Sequence, residues 1–209
     1  MRAIELFAGA GGLGMGISRA GFQPVLIVER DRWCCDTLRE NKANMKSEMA
    51  KWPLPHEGDV RAVDFRSYEG KVDLVSGGPP CQPFSIGGQH RAHDDQRDLW
   101  SEAVRSLRET RPKAFIFENV KGLKRDAFAT YLEYILLQLQ HPSVARKAAE
   151  NWHDHYHRLQ RHHTGKGKLE YRVTHELLNT ADYGVPQKRE RVVFVGFRSD
   201  VDAGGSVQR

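Results

Sequence analysis

At 209 residues the chain is long enough to bury one sizeable core and too short for two full domains. Its 39% hydrophobic and 28% charged residues exclude a disordered chain, and no apolar run approaches the roughly 20 residues of a membrane helix. The formal net charge of +5 favours contact with a polyanion but does not by itself establish one.

Met1 leads straight into a strand-like run in MRAIELFAGAGG, so neither a signal peptide nor an anchor is expected. Three cysteines, Cys34, Cys35 and Cys81, cannot build a disulfide framework, which fits a reducing cytoplasm. The first half alternates short β-rich runs with amphipathic segments, the pattern of parallel strands joined by crossover helices. This predicts a Rossmann-like, mostly parallel, doubly wound α/β sheet. Strands are predicted over 3–7, 24–29, 72–76 and 114–118, each with polar or glycine residues at its C-terminal end, where open α/β sheets bind ligands. Helices are predicted over 13–20, 32–42, 98–110 and 126–140.

The stretch 141–168 is basic and contains HDHYHRLQRHH. It reads as a metal site, a nucleic-acid surface or an exposed helical insertion. No cysteine or carboxylate cluster completes a metal-ligand spacing, so the helical insertion is favoured and no metal is expected. Two further strands, 170–179 and 191–197, are separated by a turn too short for anything but antiparallel pairing. Residues 1–198 are expected to form one catalytic and cofactor-binding domain, and 199–209 a flexible tail.

Gly9, Gly11 and Gly14 form a G-x-G-x-x-G pattern between the first strand and first helix. Glycines there let the backbone turn tightly and approach a ligand. Glu29 ends the second strand about 20 residues later, where a carboxylate accepts from ribose hydroxyls. Together these indicate an adenosine-containing cofactor. The loop alone leaves a dinucleotide and S-adenosylmethionine both open.

The segment SGGPPCQPFSIGG, residues 76–88, displays Cys81 between Pro79, Pro80 and Pro83, which bar a helix and stiffen the loop. A lone cysteine is usually a small buried hydrophobe. Here the flanking prolines and glycines point to a thiolate nucleophile suited to an electron-poor ring carbon.

In order and spacing, FAGAGGLGMG, GGPPCQPFS, ENV and QKRERVVFVG resemble the first, fourth, sixth and eighth motifs of the cytosine-5 DNA methyltransferase family, over nearly the whole chain to about Phe197. The resemblance implies transfer of a methyl group from S-adenosylmethionine to carbon 5 of a flipped-out cytosine in DNA, as in bacterial modification enzymes. It implies Cys81 as the nucleophile at carbon 6. Glu118 would contact ring nitrogen 3, carrying or sharing a proton favoured by burial at a strand end. Arg189 and Arg191 would hold the carbonyl oxygen and nearby phosphates.

For the cofactor the resemblance implies Phe7 against the adenosine and Glu29 on the ribose hydroxyls. Asp59 would take the adenine amino group, with further contacts from Ala8, Gly9, Gly11, Gly12, Leu13, Arg30, Val60, Pro80 and Leu99. The polar loop 85–96 would close over the base. The family continues past its eighth motif with a target-recognition region and two more motifs, which do not follow Phe197. This leaves a split enzyme with a complementing subunit, a fragment, or a remnant. Rival readings are a transfer-RNA cytosine methyltransferase, a non-catalytic cofactor- or partner-binding module, and a nicotinamide oxidoreductase, which would leave the Pro-Pro-Cys loop unexplained.

Overall fold

The computed structural model describes residues 1–44, 47–80, 99–165 and 170–201. Strand β1 (Arg2–Leu6) is buried from Ala3 onward and runs through a glycine turn into α1 (Gly12–Arg19). Strand β2 (Gln23–Glu29) leads to α2 (Arg32–Ala43), whose N-terminus is capped by Asp31 accepting from Cys34 N–H at 2.9 Å. The short β3 (His56–Glu57) was not foreseen, because two polar residues offer no apolar run to read. Then follow β4 (Leu74–Gly77), α3 (Trp100–Thr110), β5 (Ala114–Val120) and α4 (Ala129–Gln140), the last entered through a 3-10 turn at Asp126–Phe128. Helix α5 (Trp152–Thr164) precedes the long strands β6 (Tyr171–Asn179) and β7 (Glu190–Arg198).

The seven strands form one sheet in the order β3-β2-β1-β4-β5-β7-β6. The first five pair in parallel, and β7 lies between β5 and β6, antiparallel to both. The sheet is therefore of the expected class, with its antiparallel pair at one end. On one face α3 and α4 cover an aromatic core in which Trp100 meets Phe194 edge-on at 5.2 Å and Phe115 stacks on Phe117 at 5.2 Å. On the other, Ile17 of α1 packs on Ala3 and Leu74, with Ile116 beside them. Along β7 this second face is less covered: Val192 and Phe194 are buried, whereas the alternating Val193, Val195 and Phe197 are half-buried.

The basic stretch forms a helix, but α5 is not an exposed one, and this corrects the expectation. Trp152, His155, Tyr156 and Leu159 are buried, and Trp152 and Tyr156 pack around Tyr134 of α4. A carbonyl only accepts, so His155 Nε2 donates to Val144 O at 2.7 Å, leaving Nδ1 to accept from the Tyr134 hydroxyl at 2.8 Å. His155→Phe is expected to cost about 2 kcal/mol, because both partners lose their bond inside the protein.

Burial lowers the His155 pKa from its ordinary 6.5. The unfolded chain thus takes up its proton first, so stability is intact above pH 6.5 and is lost as pH falls through the lowered folded value. Urea unfolding across that window should show a smaller loss for the variant than for the native chain. The start of the expected tail is also held: Ser199 N–H donates to Glu170 O at 2.9 Å and Asp200 pairs with Arg198 at 2.6 Å. Residues 202–209 lie outside the described residues.

Candidate active site

Strand order reverses between β1 and β4, which leaves a crevice beyond their C-terminal ends. There a cavity of about 360 Å³ is walled by segments from successive strands. Phe7 and Gly9 follow β1, Val28 to Arg30 end β2, residues 58–61 follow β3, Gly78 and Pro80 follow β4, and Leu99 precedes α3. The volume lies within the range of about 300–1,000 Å³ typical of small-molecule sites.

The glycine turn is held by bonds to β2. Phe7 and Gly9 both have φ 54° and Gly11 has φ 90°, a left-handed conformation that costs a non-glycine residue such as Phe7 about 1–2 kcal/mol. Ala8 N–H donates to Val28 O at 3.2 Å, and Gly9 N–H donates to Glu29 Oε2 at 2.7 Å. The other oxygen, Oε1, accepts from Arg30 and Asp31 N–H at 2.7 Å each. Glu29 thus fixes the turn while its carboxylate still faces the cavity.

Beneath the turn, buried Glu5 accepts from Gly14 N–H at the start of α1 and is hydrogen-bonded to Ser76 of β4, which in turn donates to Ile4 O at 3.3 Å. Burial raises the Glu5 pKa to about 7. A protonated carboxyl suits this chain of bonds, since it donates to Ser76 Oγ and frees the Ser76 proton for Ile4 O.

Of the residues expected at the cofactor, Phe7, Gly9, Glu29, Arg30, Asp59, Val60, Pro80 and Leu99 line this one cavity. Ala8, Gly11, Gly12 and Leu13 do not line it. Ala8 belongs to the small core with Ile27 and Leu38, and Gly11 caps α1, where a Cβ would lie 2.8 Å from Met49 and 2.9 Å from Leu38. Its missing side chain serves packing. Val28, Gly58, Arg61 and Gly78 line the cavity without having been foreseen.

Arg61 was hidden because nothing in the sequence shows that its backbone and guanidinium fold back on Asp59, at 2.9 and 3.2 Å. Arg105 of α3 was hidden too: it donates to Val60 O and Val63 O at 2.9 Å each and so fixes that wall.

Beside the cavity stand two of the expected reactive groups, Glu118 and Arg191. Antiparallel pairing sets Glu118 opposite Val193 and Val120 opposite Arg191, so Glu118 and Arg191 are diagonal neighbours on one face. They form an ion pair at 3.2 Å. Glu118 is not buried as expected; its side chain is 36% exposed. Arg189 is exposed just before β7. Gly78 connects cavity and carboxylate, because it lines the first and a Cβ on it would lie 2.7 Å from Glu118 Oε1. Buried Asn119 donates through Nδ2 to Pro79 O at 3.1 Å and accepts from Val120 N–H at 2.7 Å. It thereby ties the Pro-Pro segment to β5. Cys81 and the loop 85–96 lie outside the described residues.

The sequence profile of the C-5 cytosine-specific DNA methylase family matches residues 1–142 and 151–206. The chain belongs to this family. Within the C-5 cytosine-specific DNA methylases it is 38% identical over 200 residues to the Type II methyltransferase M.PspPI of Psychrobacter sp., an alignment covering 95% of this chain and 40% of that one. It is 37% identical over 205 residues to the Type II methyltransferase M.AquIA of Picosynechococcus sp., covering 94% of this chain and 72% of the relative.

A crystal structure of an E. coli prophage-encoded protein described as a DNA modification methyltransferase superposes with a TM-score of 0.65 at 24% identity. It covers 96% of this chain and 47% of the other, a likeness of fold. The methylase profile has one internal gap, over 143–150, so α5 falls inside the matched region. Among the described residues, no helix is long and apolar enough to cross a membrane, and no group of three or more His, Cys, Asp or Glu side chains is arranged for a metal ion.

Proposed function

We propose that this chain is the catalytic part of a bacterial DNA (cytosine-5) methyltransferase acting through a covalent Cys81 adduct. The observation that carries the reading is the place of Gly78, which brings a cavity suited to an adenosine-type cofactor against the Glu118–Arg191 pair. The cavity fits S-adenosylmethionine: Glu29 offers acceptors for ribose hydroxyls, Asp59 one for the adenine amino group, and Phe7 an aromatic face. Gly9 has open space where a side chain would be, so the turn leaves room for a ligand. When bound, the cofactor supplies the methyl group.

The rest of the chemistry belongs to side chains of the protein. Carbon 5 of cytosine is a weak nucleophile, and a Cys81 thiolate bonding to carbon 6 pushes electron density onto it. The nitrogen 3 and carbonyl edge of the base would enter between Glu118 and Arg191, so their ion pair gives way: Arg191 donates to the carbonyl oxygen, and Glu118, on taking up a proton from water, donates to nitrogen 3. Once carbon 5 carries the methyl group, loss of its proton to a water molecule lets the carbon–sulfur bond break and Cys81 leave as the thiolate. The base must swing out of the duplex to reach this site.

The free thiols of Cys34 and Cys35 accord with a reducing cytoplasm. The half-buried Val193, Val195 and Phe197 face of β7 accords with a complementing subunit or further chain that covers it and reads the DNA sequence.

Gly78→Ala is expected to lower turnover about 100-fold while leaving the melting temperature nearly unchanged, because the new methyl displaces only the flexible end of Glu118. Methyl-transfer rates and thermal melts on the same preparations check it. The reading itself is tested with labelled cofactor and DNA containing 5-fluorocytosine, which traps the adduct. A covalent complex with DNA that vanishes in Cys81→Ser is the expected result. A complex formed with RNA and never with DNA would instead mark a transfer-RNA enzyme.

A further inference from the structure

A second cavity, of about 260 Å³, lies at the edge of the sheet opposite the cofactor cavity. It sits where α3 ends, where β6 begins and just past the end of β7. Ala114, which opens β5, pairs with Phe197 at that edge, whereas Val120 at the other end of the strand pairs with Arg191. The length of β5, seven residues or about 20 Å, separates the two edges.

Arg108, Arg111 and Arg198 face two carboxylates in this cavity, Glu170 and Asp200. Most of these groups are engaged. Arg198 pairs with Asp200 at 2.6 Å and also donates to Arg111 O. Glu170 Oε1 accepts from Ser143 N–H at 3.2 Å and from the Ser143 hydroxyl at 2.6 Å. Three groups are left over, and all of them can donate. Arg108 gives one bond, to Pro142 O at 3.3 Å, and makes no ion pair with a described residue. Exposed Arg111 makes no ion pair with a described residue either. The Ser199 hydroxyl is buried without a hydrogen-bond partner.

Arg111 also stands where an arginine is strained. It caps the end of α3 at φ 50° and ψ 52°, a left-handed conformation that glycine or asparagine adopts more easily. The carbonyl end of a helix favours nearby cations, which accounts for charge beside α3 but not for a strained backbone beneath it. Backbone strain of this kind gathers at ligand sites. The unpartnered hydroxyl of Ser199 is a second destabilising feature of the same cavity, and one ligand would account for both.

We propose that this cavity binds a phosphate dianion, free or as a small monoester, held by the guanidinium groups of Arg108 and Arg111 and by the Ser199 hydroxyl. A carboxylate fits less well, because one guanidinium fork fills both of its oxygens, whereas phosphate has acceptors for two forks and a hydroxyl. Leu107 and Tyr171 give the cavity an apolar wall for the organic part of a monoester. Because the site joins α3 to β6 and to the end of β7, an occupied cavity braces the antiparallel strand pair from the edge farthest from Glu118 and Arg191.

Thermal melts of the whole chain with inorganic phosphate, phenyl phosphate or benzoate, each against potassium chloride of equal ionic strength, test this. Both phosphates are expected to raise the melting temperature in a concentration-dependent way, and benzoate to leave it unchanged. Arg111→Gly and Ser199→Ala are expected to melt no lower than the native chain without anion, since each removes a destabilising feature. In calorimetry they should nonetheless bind phosphate about ten-fold more weakly. A lower Kd for phenyl phosphate than for inorganic phosphate identifies a monoester as the ligand, and the reverse identifies the free ion. The site is ruled out if phosphate shifts the melt no more than chloride does, if benzoate stabilises as strongly, or if Arg111→Gly binds phosphate like the native chain. Variants that melt well below the native chain without anion would make Arg111 and Ser199 structural residues, which also removes the proposal.

Discussion

An alanine at position 77 is expected to cost at least about 3 kcal/mol and to leave much of the protein insoluble. Gly77 ends β4 at the centre of the sheet, opposite Leu6 of β1 on one side and Phe117 of β5 on the other. A Cβ there would lie 2.4 Å from the Leu6 carbonyl oxygen. That atom is backbone in a neighbouring strand, and it cannot retreat without breaking the ladder that positions the glycine turn. Gly16→Ala is the matched control. It lies inside α1 with open space around it, so the same added methyl should stabilise by about 1 kcal/mol through helix propensity. Urea midpoints of the two variants should move in opposite directions; a Gly77→Ala protein with native stability would show that the β1–β4 spacing is loose.

Glu5→Gln is expected to stabilise the protein by up to about 3 kcal/mol at alkaline pH and to change little under acid. The sign follows from the pKa, raised from 4.5 to about 7 by burial. The folded chain holds its proton longer than the unfolded chain, so this group's contribution is complete below pH 4.5 and is lost as pH rises through 7. Glutamine keeps the shape and an acceptor for Gly14 N–H but has no charge to bury. Unfolding free energies on the two sides of pH 7 give the test. Equal effects at both would mean that Glu5 is ionised in the folded state throughout.

Much of this architecture can be read from the residues. Runs such as Ala-Ile-Glu-Leu and Phe-Ile-Phe-Glu alternate or concentrate apolar groups strongly enough that β1, β5, β6 and β7 begin and end within two residues of the expected bounds. Glu29 was identifiable as a cavity residue because it ends a strand about 20 residues after the glycine turn, whereas Phe7 and Asp59 were found through the resemblance to the methyltransferase family.

What stayed hidden depends on contacts between distant segments. The Glu118–Arg191 pair exists only because of one register between β5 and β7, and the burial of His155 only because α5 finds Tyr134. Gly78 reads as one more glycine in a loop until the Glu118 carboxylate is seen to need its space. Gly11 shows the converse, a motif glycine whose empty side is filled by Met49 and Leu38 rather than by a ligand.

The interposed position of β7 sets an order on biosynthesis. Strand β5 emerges from the ribosome some 70 residues before the strand that will occupy its far edge, so its ladder groups wait unpaired while α4, α5 and β6 are made. Only when β7 threads between its two neighbours does an arginine arrive beside the glutamate. The nascent polypeptide therefore lacks the Glu118–Arg191 pair until the insertion of β7 is finished.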